Sequence, residues 1–295
     1  MKIPFRREFD FAYGTVEVLS PRLRRVVARN PGPYTFHGTN TYIVGHGRVA
    51  LIDPGPNLPE HVQALLEGLR GETVSHILVT HTHRDHSPAC RPLQAATGAP
   101  THGYGPHGGG EVEVEEGGDH AFAPDHMLRD GDCVEGEGWT LEAVHTPGHT
   151  SNHLCYALRE ERSLFTGDHV MAWSTSVIAP PDGDLGAYLD SLERLLARHE
   201  TRYWPAHGAS IDDPRPFVQA FIEHRRQRLY QVRVALGRGI DTIPGLVAAI
   251  YPDLPTQLRP AAARSTQAAL IHLHRRGEVN CDSTDLDARF RLRDA

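Results

Sequence analysis

The sequence predicts an α/β chain in which a large layered domain is followed by a small winged-helix-like domain. Through the first 213 residues, short apolar runs alternate with amphipathic helical patterns, as expected when helices pack on sheets. From Pro214 onward, helical patterns dominate and a short pair of strand-like runs ends the chain. The length of 295 residues is sufficient for a large core with a small appended domain.

The elements of the large domain follow from local periodicity. Two strand-like runs, 41–44 and 48–53, flank a Gly-His-Gly turn and indicate a β-hairpin. Apolar residues recur at helical spacing over 58–69 and again over 185–196, so both segments are predicted to be amphipathic helices. Further strands are predicted at 75–80, 139–144, 163–166 and 201–204. The segment 101–126 is rich in Gly, His and Glu and is predicted to be a long surface loop.

The C-terminal domain is predicted to span 214–295, which leaves 1–213 as the catalytic domain. A long helical pattern containing Val218 and Leu229 is followed by a short one at 244–250. A third begins near Ala261 and ends at Gly277, a typical residue at a helix C-terminus. The runs 279–280 and 289–292 then pair as a terminal hairpin, which completes the winged-helix-like pattern.

The charge and composition of the sequence argue against some classes of function. The net charge of −7 argues against a large basic surface for duplex DNA, although the charge is uneven. From Pro214 to the end there are 13 basic and 8 acidic residues, against 17 and 29 before it. The four cysteines lack metal-site spacing. With no signal-peptide pattern and no apolar run of about 18 residues, we expect a cytoplasmic protein without a membrane partner.

The strongest chemical signal is the run Thr-His-Thr-His-Arg-Asp-His at residues 80–86, directly after the apolar run 76–79. It supplies four closely spaced ligands of the kinds that zinc accepts: His81, His83, Asp85 and His86. Three more candidates each lie about one residue past a later apolar run: His145, Asp168 and His207. Seven ligands exceed the need of one tetrahedral ion and suit two ions that share a carboxylate.

In order and spacing, these residues resemble the metallo-β-lactamase superfamily, whose HxHxDH motif is followed by a His, an Asp and a His. The resemblance implies an αββα four-layer sandwich and a hydrolase with two zinc ions, with manganese or iron as alternative metals. It also implies how the ligands are shared: His81, His83 and His145 on one ion, Asp85, His86 and His207 on the other, and Asp168 bridging them.

The resemblance also suggests roles for the surrounding residues. Asp53, in the run LIDPGPN, is expected to support the HxHxDH loop, and Asn40 to contact the substrate. Two ions about 3.5 to 4 Å apart lower the pKa of a bridging water, and Asp85 is the expected catalytic proton shuttle. The remaining nearby histidines are expected to hydrogen-bond the loops (His149, His153, His169) or to be exposed in the 101–126 segment (His102, His107, His120, His126).

Within the superfamily the chain is most similar to the β-lactamase-like-protein-2 family. The similarity runs through NPGP at 30–33, GTNTY at 38–42, THTHRDHS, HTPGHT, TGD, PAHG and the winged tail. It implies a single-strand-selective endoribonuclease, whose tail binds RNA or forms a homodimer. Two alternatives remain: a thioesterase or other small-ester hydrolase resembling glyoxalase II, and a non-enzymatic winged-helix regulator that senses a ligand.

Overall fold

The computed structural model describes residues 3–109 and 117–293. Its first sheet has seven strands in chain order: β1 (Glu17–Ser20), β2 (Leu23–Val27), β3 (Asn40–Val44), β4 (Arg48–Ile52), β5 (Thr73–Leu78), β6 (Thr101–Gly103) and β7 (His126–Met127). Neighbours are antiparallel from β1 to β4 and parallel from β4 to β7. The carboxyl ends of β4 and β5 therefore meet at one edge of the sheet, where the loops after them can combine.

A second sheet of five strands packs on the first. It contains β8 (Cys133–Gly136), β9 (Trp139–His145), β10 (Leu154–Leu158), β11 (Ser163–Gly167) and β12 (Arg202–Pro205), in the order β12-β11-β10-β9-β8. Only the β11–β12 pair is parallel. Every residue of β10 and β11 is buried, as expected for central strands covered on both faces.

Helices cover the outer faces of both sheets. The first sheet is covered by α1 (Pro59–Gly68) and α2 (Cys90–Thr97), and the second by α3 (Leu185–Leu196), whose bounds match the predicted helix. Between the sheets lies a core that includes Tyr42, Trp139 and Phe165. These layers form the αββα sandwich expected from the sequence.

The C-terminal segment contains three helices and a hairpin, as predicted. They are α4 (Pro214–Gly237), α5 (Ile243–Ile250), α6 (Arg259–Arg275), and the antiparallel strands β13 (Val279–Cys281) and β14 (Phe290–Leu292). α4 begins at the predicted boundary, yet its Phe221 and Val218 share one continuous core with Tyr188 and Leu192 of α3. The division into domains at residue 213 therefore stays a prediction, because the apolar core crosses it.

The structure corrects the prediction of a surface loop over 101–126. Residues at both ends of this segment form β6 and the edge strand β7, so His102 and His126 lie in a sheet and His102 is buried. Part of the predicted loop, 110–116, lies outside the described residues. Among the helices of the described residues, none has the length and apolar character needed to span a membrane.

Candidate metal centre

The HxHxDH loop is fixed by Asp53, which follows β4 and lies beside the end of β5. Its carboxylate accepts hydrogen bonds from the Thr80 backbone N–H at 2.7 Å, the Thr80 hydroxyl at 2.8 Å and His86 Nδ1 at 3.0 Å. Asp53 itself has a φ of 50°, an uncommon backbone conformation for a residue other than glycine. The structure thus places Asp53 where the sequence predicts a supporting residue, with a buried carboxylate holding the loop.

Three histidines converge at one side of this loop. His81 Nε2 lies 3.0 Å from His83 Nδ1, and His149 Nε2 lies 3.1 Å from the same atom. All three side chains are buried. Burial lowers the pKa of His81, His83 and His149, so the rings are neutral and can offer lone pairs.

A second group combines carboxylates with histidines. Asp85 Oδ2 lies 3.3 Å from His86 Nε2 and 3.1 Å from His207 Nε2. Asp168 lies between the two groups: its oxygens are 3.3 Å from His207 Nε2, 3.7 Å from His86 Nε2 and 3.8 Å from His149 Nε2. Asp168 therefore occupies the position that a bridging ligand requires.

The histidines of the second group have raised pKa values, unlike those of the first group, because they face carboxylates. Burial opposes protonation of His207, but Asp168 and Asp85 outweigh it and raise its pKa to about 10. The pKa of His86 is raised for the same reason, burial again being overcome by nearby carboxylates. Although burial would raise the pKa of Asp85 and Asp168, the facing histidines lower it, so both remain carboxylates. The two carboxylates thus offset the positive charge of two protonated histidines, and a metal cation would take the place of those protons.

The outer ring nitrogens show that the donor set fits metal ions. Four histidines each donate from Nδ1 to an acceptor behind them: His81 to the Thr80 hydroxyl, His86 to Asp53, His149 to the Val177 carbonyl and His207 to the Gly38 carbonyl. Their Nε2 atoms therefore face the shared centre, as in metal sites oriented by surrounding groups. Within the described residues, the buried His86 Nε2, His207 Nε2 and Asp168 Oδ1 make no hydrogen bond of acceptable geometry. The clusters are suited to holding two metal ions.

The structure brings together six of the seven residues predicted as ligands and does not bring His145 to them. His145 is the last residue of β9, is partly exposed, stacks on Tyr104 at 4.2 Å and donates from Nε2 to the Ser151 carbonyl. His149 lies in the place predicted for His145. This corrects the prediction that His145 binds a metal and the prediction that His149 only hydrogen-bonds the loops. The signal was present in HTPGHT, where the Pro-Gly turn redirects the chain before the second histidine.

Gly148 makes this turn feasible. Its φ is 137°, and a Cβ at this position would lie 2.3 Å from the Cα of Tyr188 in α3. Only glycine fits so close to the helix backbone. The Gly148 carbonyl also accepts a hydrogen bond from the Asp184 N–H at the start of α3. Packing against α3 therefore sets the position of the adjacent His149.

Three other residues differ from or refine their predicted roles. Asn40 is fully buried and donates to the Pro205 and Gly208 carbonyls at 3.0 Å each, so it braces the loop of His207 and is not placed to contact substrate. His153 hydrogen-bonds Thr146 and accepts from the Asp168 N–H, as expected of a loop-supporting residue. His169 packs on Tyr188 at 4.5 Å and makes no ring hydrogen bond within the described chain.

A cleft of about 300 Å³ opens beside the metal ligands. Its walls come from the loop 30–35, which contains Pro31, Pro33 and Tyr34, and from Pro56. Arg84 and Asp85 line it next to His83 and Asp168. A substrate in this cleft would contact mainly proline and tyrosine surface on one side and the candidate metal ligands on the other.

Comparison with known proteins agrees with this geometry. Residues 34–207 match the family model of the metallo-beta-lactamase superfamily, and residues 242–286 match that of the beta-lactamase associated winged helix domain. A metallo-beta-lactamase family protein of Thermus thermophilus has a similar structure, with a TM-score of 0.76, 25% identity and coverage of 94% of this chain and 100% of that one.

Curated relatives extend over most of the chain. A lactamase-like protein of Emericella nidulans is 32% identical and covers 89% of this chain and 87% of its own. An atrochrysone carboxyl ACP thioesterase of Claviceps purpurea is 34% identical, with 81% and 74% coverage. A beta-lactamase-like protein 2 homolog of Caenorhabditis elegans is 32% identical, with 90% and 88% coverage. The sandwich, the converging ligands and these matches together show that the chain belongs to the metallo-β-lactamase superfamily and is a hydrolase.

Proposed function

We propose that this hydrolase cleaves thioester bonds with the aid of two zinc ions. The observation that carries the proposal is the cleft beside the ligands, where proline and tyrosine surface predominates and Arg84 is the only Lys or Arg side chain among the described lining residues. Such a wall suits an acyl chain, because apolar surface gains from contact with apolar substrate.

Zinc is the metal proposed for the centre because its ligands are imidazole and carboxylate groups. His81, His83 and His149 would hold one ion, and Asp85, His86 and His207 the other, with Asp168 shared. When bound, the ions supply Lewis-acid polarisation of the substrate and lower the pKa of water. Manganese and iron remain the alternative metals to be tested.

The protein's own side chains complete the proposed site. Asp85 lines the cleft and its side chain retains 20% exposure, so its carboxylate lies where it could accept a proton from the attacking water. Arg84 lies next to it and would stabilise negative charge on a substrate or leaving group. The loop 30–35 would exclude water from the acyl side of the cleft.

The names of relatives agree with this choice of substrate class. Two of them, from Claviceps purpurea and from a Cryptosporiopsis species, are named as atrochrysone carboxyl ACP thioesterases and are 34% and 32% identical to this chain. Their named activity is hydrolysis of an acyl thioester on a carrier protein. We propose the same type of bond here and leave the acyl group open.

The single-strand endoribonuclease activity implied by the sequence resemblance is the second candidate. The chain is similar to a beta-lactamase-like protein 2 homolog, from whose family the sequence resemblance implied this activity. The basic tail gives RNA cleavage little support, because several of its arginines are paired with carboxylates. Arg226 pairs with Glu193 at 2.8 Å, Arg233 with Glu278 at 2.7 Å and Arg289 with Asp241 at 2.6 Å. Phosphate binding would have to compete with these carboxylates. RNA as a partner, homodimer formation and a cytoplasmic location stay predictions.

A direct test compares the two substrate classes on the same preparation. The zinc-reconstituted protein is assayed on acyl-coenzyme A and acyl-N-acetylcysteamine thioesters of increasing acyl length, and on a single-stranded RNA. Asp168→Ala removes the bridging carboxylate, and Asp190→Ala, on the exposed face of α3, is the matched control. Thioester hydrolysis by the wild type and Asp190→Ala, but not by Asp168→Ala, is expected.

The other outcomes are equally informative. Cleavage of RNA with the same dependence on Asp168, and no turnover of any thioester, would overturn the thioesterase proposal in favour of the nuclease. Binding of either ligand without turnover by the metal-loaded protein would favour the regulator that the sequence left as an alternative.

A further inference from the structure

The segment 168–184 joins β11 to α3 and contains no helix or strand of its own. A stretch of this length without regular structure is uncommon inside a compact domain unless it has a function. Two of the candidate metal ligands depend on this segment. Asp168 is its first residue, and the Val177 carbonyl accepts a hydrogen bond from His149 Nδ1 at 2.6 Å. Whatever holds the segment in place therefore also affects the metal centre.

Ser176 connects the middle of this segment to its beginning. Its side chain is buried, and its hydroxyl donates to the Asp168 carbonyl at 2.5 Å. The next residue is Val177, the hydrogen-bond acceptor behind His149. The stretch 176–177 thus contacts the backbone of one candidate ligand and the ring of another. A shift of this stretch would displace both ligands from the metal centre.

Arg225 of α4 reaches this stretch from the C-terminal part of the chain. Its Nη2 donates to the Ser176 carbonyl, and its guanidinium carbon lies 5.1 Å from the centroid of the Tyr188 ring. The residue is 6% exposed and forms no ion pair within the described residues, where its Nε also lacks a hydrogen-bond partner. Burial of a guanidinium group without a carboxylate is costly, so its contact with Ser176 calls for a reason other than stability.

We propose that Arg225 is a positioning residue of the metal centre, which holds the Ser176 carbonyl and thereby keeps Asp168 and His149 in place to bind metal. The inference rests on the two-ion centre of the proposed function and adds how that centre is held. Arginine suits this role because its flat, always charged guanidinium group can donate to a carbonyl while it packs on an aromatic ring. A lysine offers a donor but no flat group to pack on Tyr188.

The two ions should depend on Arg225 to different degrees. His149 would help to hold the first ion, and its acceptor lies in the stretch that Arg225 holds. The second ion would be held partly by His86, whose Nδ1 acceptor is Asp53, in the loop after β4 of the first sheet. Asp168 is shared, so the second ion should be weakened as well, but less than the first.

Zinc affinity measured on the full chain tests the proposal. The protein is stripped with a chelator and titrated with Zn²⁺ against a competing chromophoric chelator, well below the Tm of each variant. Arg225→Met keeps an unbranched apolar side chain but removes the donor, so the affinity for one of the two ions should fall about 10-fold. Arg225→Lys should recover part of this loss because it restores a donor. The exposed neighbour Arg226 pairs with Glu193, and Arg226→Ala, the matched control, should bind zinc as the wild type does.

Ser176→Ala is a second variant that leaves Arg225 and the carbonyl it contacts in place. It removes only the hydroxyl that holds the Asp168 carbonyl, so the affinity for zinc should fall in this variant as well. Kinetics on the substrate that the wild type cleaves give a further readout. In Arg225→Met, kcat should fall while KM stays the same, because Arg225 does not line the cleft beside the metal ligands.

Wild-type zinc affinity in both Arg225→Met and Ser176→Ala, even with a lower Tm, would overturn the proposal, since Arg225 would then stabilise only the fold. An equal loss of affinity in Arg226→Ala would overturn it too, because the effect would then come from the charge of α4. A protein that binds two zinc ions with the expected dependence on Arg225, but cleaves RNA and no thioester, would refute the thioesterase proposal and support this one. Zinc binding is measured without a substrate, so the two proposals fail separately.

Discussion

Replacing His149 with alanine tests the ligand assignment that only the folded structure gives. His149 is 3% exposed, and its Nε2 lies 3.1 Å from His83 Nδ1 and 3.8 Å from Asp168 Oδ2. His149→Ala removes one of three imidazoles, so we expect the zinc content to fall by one ion per chain. Hydrolysis should fall about a thousandfold, since a catalytic ion supplies several kcal/mol and each 1.4 kcal/mol is worth about tenfold.

His145→Ala is the matched control, four residues earlier in the same HTPGHT run. Its ring makes one stacked contact with Tyr104 and one hydrogen bond to the Ser151 carbonyl, neither of them in the ligand clusters. Losing both should lower the free energy of unfolding by about 1 kcal/mol and leave the zinc content unchanged. Metal analysis, kcat/KM on the substrate that the wild type cleaves, and thermal unfolding are measured for both variants. Zinc loss in His145→Ala with retention in His149→Ala would refute the assignment.

Three further changes probe the support of the site and of the tail. Asp53→Asn weakens the acceptor behind His86, so zinc affinity in competition with a chelator should fall about 10-fold to 100-fold; an unchanged affinity would contradict the supporting role. Gly148→Ala places a methyl group 2.3 Å from the Tyr188 backbone, so the free energy of unfolding, measured in urea, should fall by about 2–4 kcal/mol. A variant as stable as the wild type would show that the turn can shift freely. Hydrogen bonds from two arginines lower the pKa of Glu278 from 4.5 to about 2, so its stabilisation is present above pH 4.5 and is lost as the pH falls towards 2. Glu278→Gln should therefore lower Tm by a few degrees at pH 7 and by much less near pH 3. If the difference in Tm between the variant and the wild type does not vary with pH, ionisation of Glu278 is not what stabilises the protein.

Much of the fold was predictable because it depends on local pattern. The apolar face of 185–196 matches α3 at both ends, since a stripe at helical spacing and the N-cap Asp184 specify a helix within a few turns. The strands β6 and β7 were missed because they are short and lie within a segment rich in Gly and His. Their strand character comes from pairing with a neighbour more than twenty residues away, which leaves no periodic signal.

The sequence by itself determined where the candidate metal ligands lie, in the loop 80–86 and at Asp168 and His207, because each follows an apolar run that predicts a buried strand. Tertiary structure alone decided between His145 and His149. Both are histidines near the end of β9, and only the Pro-Gly turn, pressed against α3, directs the second one inward. It likewise decided that Asn40 braces a loop and that Arg225 of α4 reaches the Ser176 carbonyl. Residue type indicates which side chains can bind a metal, but the packing of distant elements determines which of them converge.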